Sequence, residues 1–161
     1  TARRQRQMCI RDSRKVNHLI GIVPSNKGTS ILGVERFLNE SGRPANTIVG
    51  TVAKFLNMES VPQQLQGSTF LKDLNAGGMT APGVKYTVVA SRFDNRVFPW
   101  TNALIPEPGA KNIVIQDVCP LDHSSHTSIT YDPMTYQVVA NALDPQRATR
   151  VRCTIRPFSS M

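Results

Sequence analysis

The sequence predicts an α/β fold built on a parallel sheet with helical crossovers. Short apolar, β-branched runs stand at 16–23 (VNHLIGIV), 84–90 (VKYTVVA) and 111–118 (KNIVIQDV), each bounded by turn chemistry. Runs of this length and kind suit strands buried in a parallel sheet. Helical patterns fall between the first two runs and after the third, so the order reads strand, helices, strand, strand, helix. Hydrophobic residues make up 40% of the 161-residue chain and charged residues 19%, which allows a packed core and excludes wholesale disorder. No apolar run approaches the roughly 18 residues of a membrane-spanning helix.

Each element has its own local reason. The first strand ends at Pro24-Ser25-Asn26, and residues 24–30 (PSNKGTS) are turn chemistry. Ile31, Val34 and Leu38 then recur at helical spacing until Ser41-Gly42-Arg43-Pro44 breaks the pattern. Ile48, Val52, Phe55 and Leu56 suggest a second short helix. Val61-Pro62 opens a third, carrying Leu65, Phe70, Leu71 and Leu74 and stopping at Asn75-Ala76-Gly77-Gly78. After the strand 84–90 comes a polar loop, Ser91 to Asp94, and a Pro-containing connection over 95–111. The third strand, Lys111 to Val118, leads into a polar, His-bearing loop at 119–130. Asp132-Pro133 supplies an N-cap and a first-turn proline for a last helix, which runs through Val138, Val139, Ala142 and Leu143 to Asp144-Pro145.

The formal net charge of +8 invites a nucleic-acid reading, but its distribution argues otherwise. Residues 1–15 carry Arg3, Arg4, Arg6, Arg11, Arg14 and Lys15 against Asp12, a net of +5; the other 146 residues carry 13 basic and 10 acidic side chains, a net of +3. The string QRQMCIRDS within residues 1–14 resembles translated sequencing-adapter read-through. Residues 1–15 are therefore expected to be an artefactual or disordered basic leader, and 16–161 the folded part. A basic arm that neutralises phosphates is the alternative for this leader. The body of the chain offers no clustered Lys and Arg interleaved with aromatics, and aromatic residues are only 6%.

In parallel sheets, functional groups gather in loops at the carboxyl ends of strands. Asp94 follows the strand 84–90, and His123 and His126 follow the strand 111–118. A strand-end Asp followed by a strand-end His is the order of the last two members of a Ser…Asp…His triad on an α/β-hydrolase sheet. There the His moves the proton of a serine hydroxyl, and the Asp fixes its tautomer and stabilises the imidazolium. Taken from pattern alone, most such residues cap or solvate turns.

The segments LIGIVPSNKGTS (19–30), LQGSTFLKDLNAGGMTAPGVKYTVVASRFDNRVFPW (65–100), NIVIQDVC (112–119) and HTSITYDP (126–133) together resemble the C-terminal half of the secreted microbial class 2 lipases and esterases. The resemblance runs in order from about Val16 to Cys153. It implies a partial α/β-hydrolase fold with about three parallel strands and a helical, lid-like insert after the first. It places the triad Asp on Asp94 and the triad His on His126, with His123 as the alternative base. It implies hydrolysis of carboxylic esters, acylglycerols above all, through an acyl-enzyme. No cofactor and no obligate protein partner are implied; a lipid surface is a possible contact, and the setting is extracellular. The apolar residues of 31–74, Phe37, Phe55 and Phe70 among them, then pack the core or form a lid or acyl-binding wall. Phe98, Pro99 and Trp100 are expected to wall the pocket, and His18, inside a strand, to be structural.

One feature departs from that family. Its nucleophile sits in a G-x-S-x-G elbow, and no such motif occurs in these 161 residues: Gly28-Thr29-Ser30 is followed by Ile31 and Leu32, where a second Gly is needed. The expectation is a fragment that carries an orienter and a base, lacks the nucleophile, and is inactive alone.

With Cys9 in the leader, Cys119 and Cys153 remain, 34 residues apart. In the resembled family a bridge of this placement is expected, which suits an oxidising compartment. Two buried free thiols are the alternative. Cys119, His123 and His126 also form C-x3-H-x2-H with Asp122 nearby, a spacing that zinc can use, though no second paired cluster accompanies it.

Overall fold

The three apolar runs form three neighbouring parallel strands in a computed structural model that describes residues 16–30, 62–153 and 155. They are β1 (His18–Ile22), β2 (Lys85–Ala90) and β3 (Ala110–Val114), in the spatial order β1-β2-β3. The register pairs Ile20 with Thr87 and Ala90 with Val114, so the carboxyl ends of all three strands meet at one edge of the sheet. The helices predicted around Ile31–Leu38 and Ile48–Leu56, and the insert residues Phe37 and Phe55, lie outside the described residues, as does the basic leader.

β2 is central and buried along all but its first residue. Its side chains alternate between two cores, as period-2 geometry dictates. Val89 packs with Val23, Ile115, Cys119, Ile129, Met134 and Val138 on one face. Tyr86, Val88 and Ala90 pack with Val97, Ala103 and Ile105 on the other. Cover on both faces explains why the strand reads as a nearly continuous apolar run. His18 sits on β1 with Nε2 2.9 Å from Thr87 Oγ1, a cross-strand contact in keeping with a structural role.

Two predicted elements are corrected. The run 111–118 is not one strand. β3 stops at Val114, where its partner β2 also stops, and Ile115–Val118 winds into one helical turn, α2, closed by Cys119 N donating to the Ile115 carbonyl. The predicted helix through Leu65 to Leu74 is also split. Pro62–Gln64 is a short 3-10 turn, Gly67 takes φ +78°, and only Thr69–Asn75 is α-helical (α1), capped by Ser68 Oγ accepting from Leu71 N. Leu65 instead pairs its backbone with Thr29 and is buried. The crossover from β2 to β3 contains no α-helix; its one regular turn is 3-10, at Trp100–Ala103.

Gly28 is what lets the chain after β1 approach so closely. At φ +81° an added Cβ would lie 2.5 Å from Leu71 Cδ1 and 2.7 Å from the Gln64 carbonyl oxygen. The segment it belongs to is laced to the one after β2: Lys27 N donates to the Asn102 carbonyl, Thr29 Oγ1 to the Arg96 carbonyl, and Ser30 N to the Phe98 carbonyl. Val23, at the end of β1, holds φ +41°, a strained value for a β-branched residue, while its N–H donates to the Val89 carbonyl at 2.8 Å.

The last helix, α3 (Pro133–Leu143), forms as its sequence predicts. Asp132 is the N-cap, its carboxylate accepting from Thr135 N at 2.8 Å, and Pro133 occupies the first turn. Its inner face sends Met134 and Val138 against Val89. Its other side holds the following chain: Gln137 Nε2 donates to Thr149 Oγ1 and the Arg150 carbonyl, and Asn141 exchanges two hydrogen bonds with the backbone of Thr149.

Candidate active site

The two loops singled out in the sequence leave adjacent strands on the same side of the sheet. After β2 the chain turns through Ser91–Asp94, with Asp94 N donating to the Ser91 carbonyl at 3.2 Å. Asp94 Oδ1 then accepts from Arg96 N and Val97 N, both at 2.8 Å. An Asp that accepts backbone amides two and three residues ahead is held by its own turn. Its side chain is only 1% exposed.

His126 comes to this carboxylate from the loop after α2. Its Nδ1 lies 3.1 Å from Asp94 Oδ1 and 3.0 Å from Oδ2. With two amides and the imidazole around it, the carboxylate is satisfied as an anion. Of the two neutral tautomers, the pairing favours the one that carries its proton on Nδ1, because an N–H and not a lone pair donates to a carboxylate. Nε2 is then the basic lone pair, and the ring, one-third exposed, borders a cleft. A buried acid, an oriented imidazole and an open second nitrogen together make an acid–base pair able to take a proton from a group in the cleft and return it.

His123 does not reach Asp94. Its ring packs on Phe93, with centroids 4.7 Å apart. Asp122, fully buried, accepts Ser124 N at 2.7 Å and so shapes the turn that leads to His126.

The cleft has a volume of about 400 Å³ and runs along β1 and the turn that follows it. Val23, Pro24, Ser25 and Asn26 line it, as do Arg96, Val97, Ile105 and His126. The expected wall of Phe98, Pro99 and Trp100 is not part of this lining. Phe98 is half exposed, and Trp100 lies under the Arg92 guanidinium, 5.6 Å from its carbon, and against the second core. Arg96 and Val97, one step nearer Asp94, line the cleft instead. In the sequence, residues 24–26 read only as the turn that ends the first strand, and Arg96 carries no signal of its own, although both belong to segments that follow the carboxyl end of a strand.

Cys119 and Cys153 form a disulfide, with Cα atoms 5.0 Å apart. This corrects the metal alternative built on Cys119, His123 and His126. A disulfide sulfur cannot serve as a thiolate ligand, and no group of three or more His, Cys, Asp or Glu side chains converges among the described residues. No protein-family model matches this chain, and no curated protein was found to be similar to it.

Proposed function

We propose that Asp94 and His126 are the orienting and acid–base members of a serine carboxylic-ester hydrolase of α/β-hydrolase type, whose nucleophile lies outside these 161 residues. The observation that carries this reading is the pairing of His126 Nδ1 with both oxygens of a buried, amide-anchored Asp94 at adjacent strand ends. In the proposed cycle His126 Nε2 takes the proton of the serine hydroxyl as its oxygen attacks the ester carbonyl. The imidazolium, stabilised by Asp94, gives that proton to the departing alcohol and leaves an acyl-enzyme. Water then repeats the sequence: it loses a proton to Nε2 as its oxygen bonds to the acyl carbon, the bond from that carbon to the serine oxygen breaks, the serine oxygen takes the proton from Nε2, and the carboxylic acid leaves. The apolar side chains of Val23, Val97 and Ile105 in the cleft suit the acyl part of a lipid ester. The disulfide supports an extracellular setting.

The test is the reading frame upstream of Val16. It is expected to encode a strand, a G-x-S-x-G turn and a helix, and the extended polypeptide to hydrolyse p-nitrophenyl butyrate with a loss of about 10³-fold or more on His126→Ala. The 161-residue chain alone is expected to be no faster than its own His126→Ala variant. An extended polypeptide without the turn, or one whose hydrolysis survives His126→Ala, overturns the proposal.

A further inference from the structure

We infer that Gln116 is a positioning residue that holds the Asp94 loop and the His126 loop at their working separation, acting through Ser91. The inference rests on reading Asp94 and His126 as the acid–base pair.

The two partners are 32 residues apart, and each sits on a loop with its own local hydrogen bonds. Something must set one loop against the other. The side chain of Gln116 touches both. Its Oε1 accepts from Arg92 N at 2.8 Å, at the start of the Asp94 turn. Its Nε2 donates to the Asp122 carbonyl at 3.0 Å, on the way to His126. The second Nε2 hydrogen reaches Ser91 Oγ at 3.0 Å. Ser91 Oγ in turn donates to the Ser124 carbonyl and accepts from Phe93 N at 3.1 Å. Both residues are buried.

A side-chain amide is the one group that can do this. It offers an acceptor and one donor to the Asp94 loop, at Arg92 N and Ser91 Oγ, and its second donor to the His126 loop at the Asp122 carbonyl, with no charge to desolvate beside the carboxylate of Asp94. The helical turn at Ile115–Val118 gives it its aim, because it buries Gln116 while leaving Asp117 exposed to pair with Arg92 at 2.7 Å. Orientation of a catalytic pair depends on such supporting bonds, since a displacement of about 0.5–1 Å already loosens the geometry.

The experiment reads the His126 tautomer by 15N NMR on the full chain, in Gln116→Met, Gln116→Glu and Ser91→Ala. Gln116→Glu keeps the acceptor to Arg92 N and removes both donors. Folding is monitored separately by amide dispersion and the urea midpoint. The expected result is loss of the dominant Nδ1–H tautomer of His126 in the folded Gln116 variants, and a smaller loss in Ser91→Ala. Folded variants that keep the parental tautomer overturn the inference, even where they are less stable, since that leaves Gln116 a merely structural role. Asp94→Asn is the control. If it leaves the tautomer of the parent unchanged, the Asp94–His126 pairing itself fails, an outcome distinct from failure of the brace.

Discussion

Replacing Asp132 by Ala is expected to destabilise the fold by about 2–4 kcal/mol, for two separable reasons. The carboxylate caps α3 by accepting Thr135 N at 2.8 Å, and loss of such a cap costs about 1 kcal/mol. The same oxygen accepts Thr135 Oγ1 at 3.1 Å, and both residues are fully buried, so Ala leaves a hydroxyl without that acceptor, at about 1–3 kcal/mol. With a urea m value of about 1.5 kcal/mol/M, the midpoint should fall by roughly 1.3–2.7 M. Asp132→Asn keeps a carbonyl oxygen for the Thr135 amide and should recover most of the cap contribution. The assay is equilibrium urea unfolding followed by far-UV circular dichroism, with the disulfide intact in all three proteins. A loss under 0.5 kcal/mol in Asp132→Ala would refute the reasoning. So would an Asn variant no more stable than the Ala variant, because the cap would then contribute nothing.

Reduction of Cys119–Cys153, which closes a separation of 34 residues, should cost about 4 kcal/mol by loop entropy; the urea midpoint with and without a phosphine reductant measures it, and an unchanged midpoint contradicts it. Gly28→Ala combines φ +81° with backbone atoms of Gln64 and Gln66 at 2.7 and 2.8 Å from the new Cβ. These cannot yield as a flexible side chain would, so a loss of about 2–5 kcal/mol is expected in the same assay, and one below 1 kcal/mol would show that the turn after β1 gives way easily.

The strands β1 and β2 were legible because β-branched apolar runs bounded by turn residues have one common use in a parallel sheet. α3 was legible because Asp132-Pro133 is a local start signal that needs no tertiary information. The switch from strand to helix at Ile115 was not legible. Ile113, Val114 and Ile115 are alike to any pattern, and what ends the strand is the end of its partner at Ala90, a fact of pairing. The helix predicted through Leu65 failed because an apolar spacing was read across Gly67, whose positive φ stops the helical path. At the site, Asp94 and His126 were visible as strand-end residues of reactive type. Gln116 and Ser91 were invisible, since an uncharged amide and a hydroxyl gain their meaning only from which two loops they face.

The disulfide also makes a closed covalent ring of residues 119–153, with His126 and all of α3 on it and Asp94 off it. Cleavage of any one peptide bond inside the ring, for instance beside exposed Leu121 or in the exposed stretch 143–150, leaves a single molecule rather than two pieces. Under proteolysis, the ring spares the histidine loop from being shed by a first cut. The Asp94 loop has no such tether, so its retention after a cut rests on noncovalent packing alone.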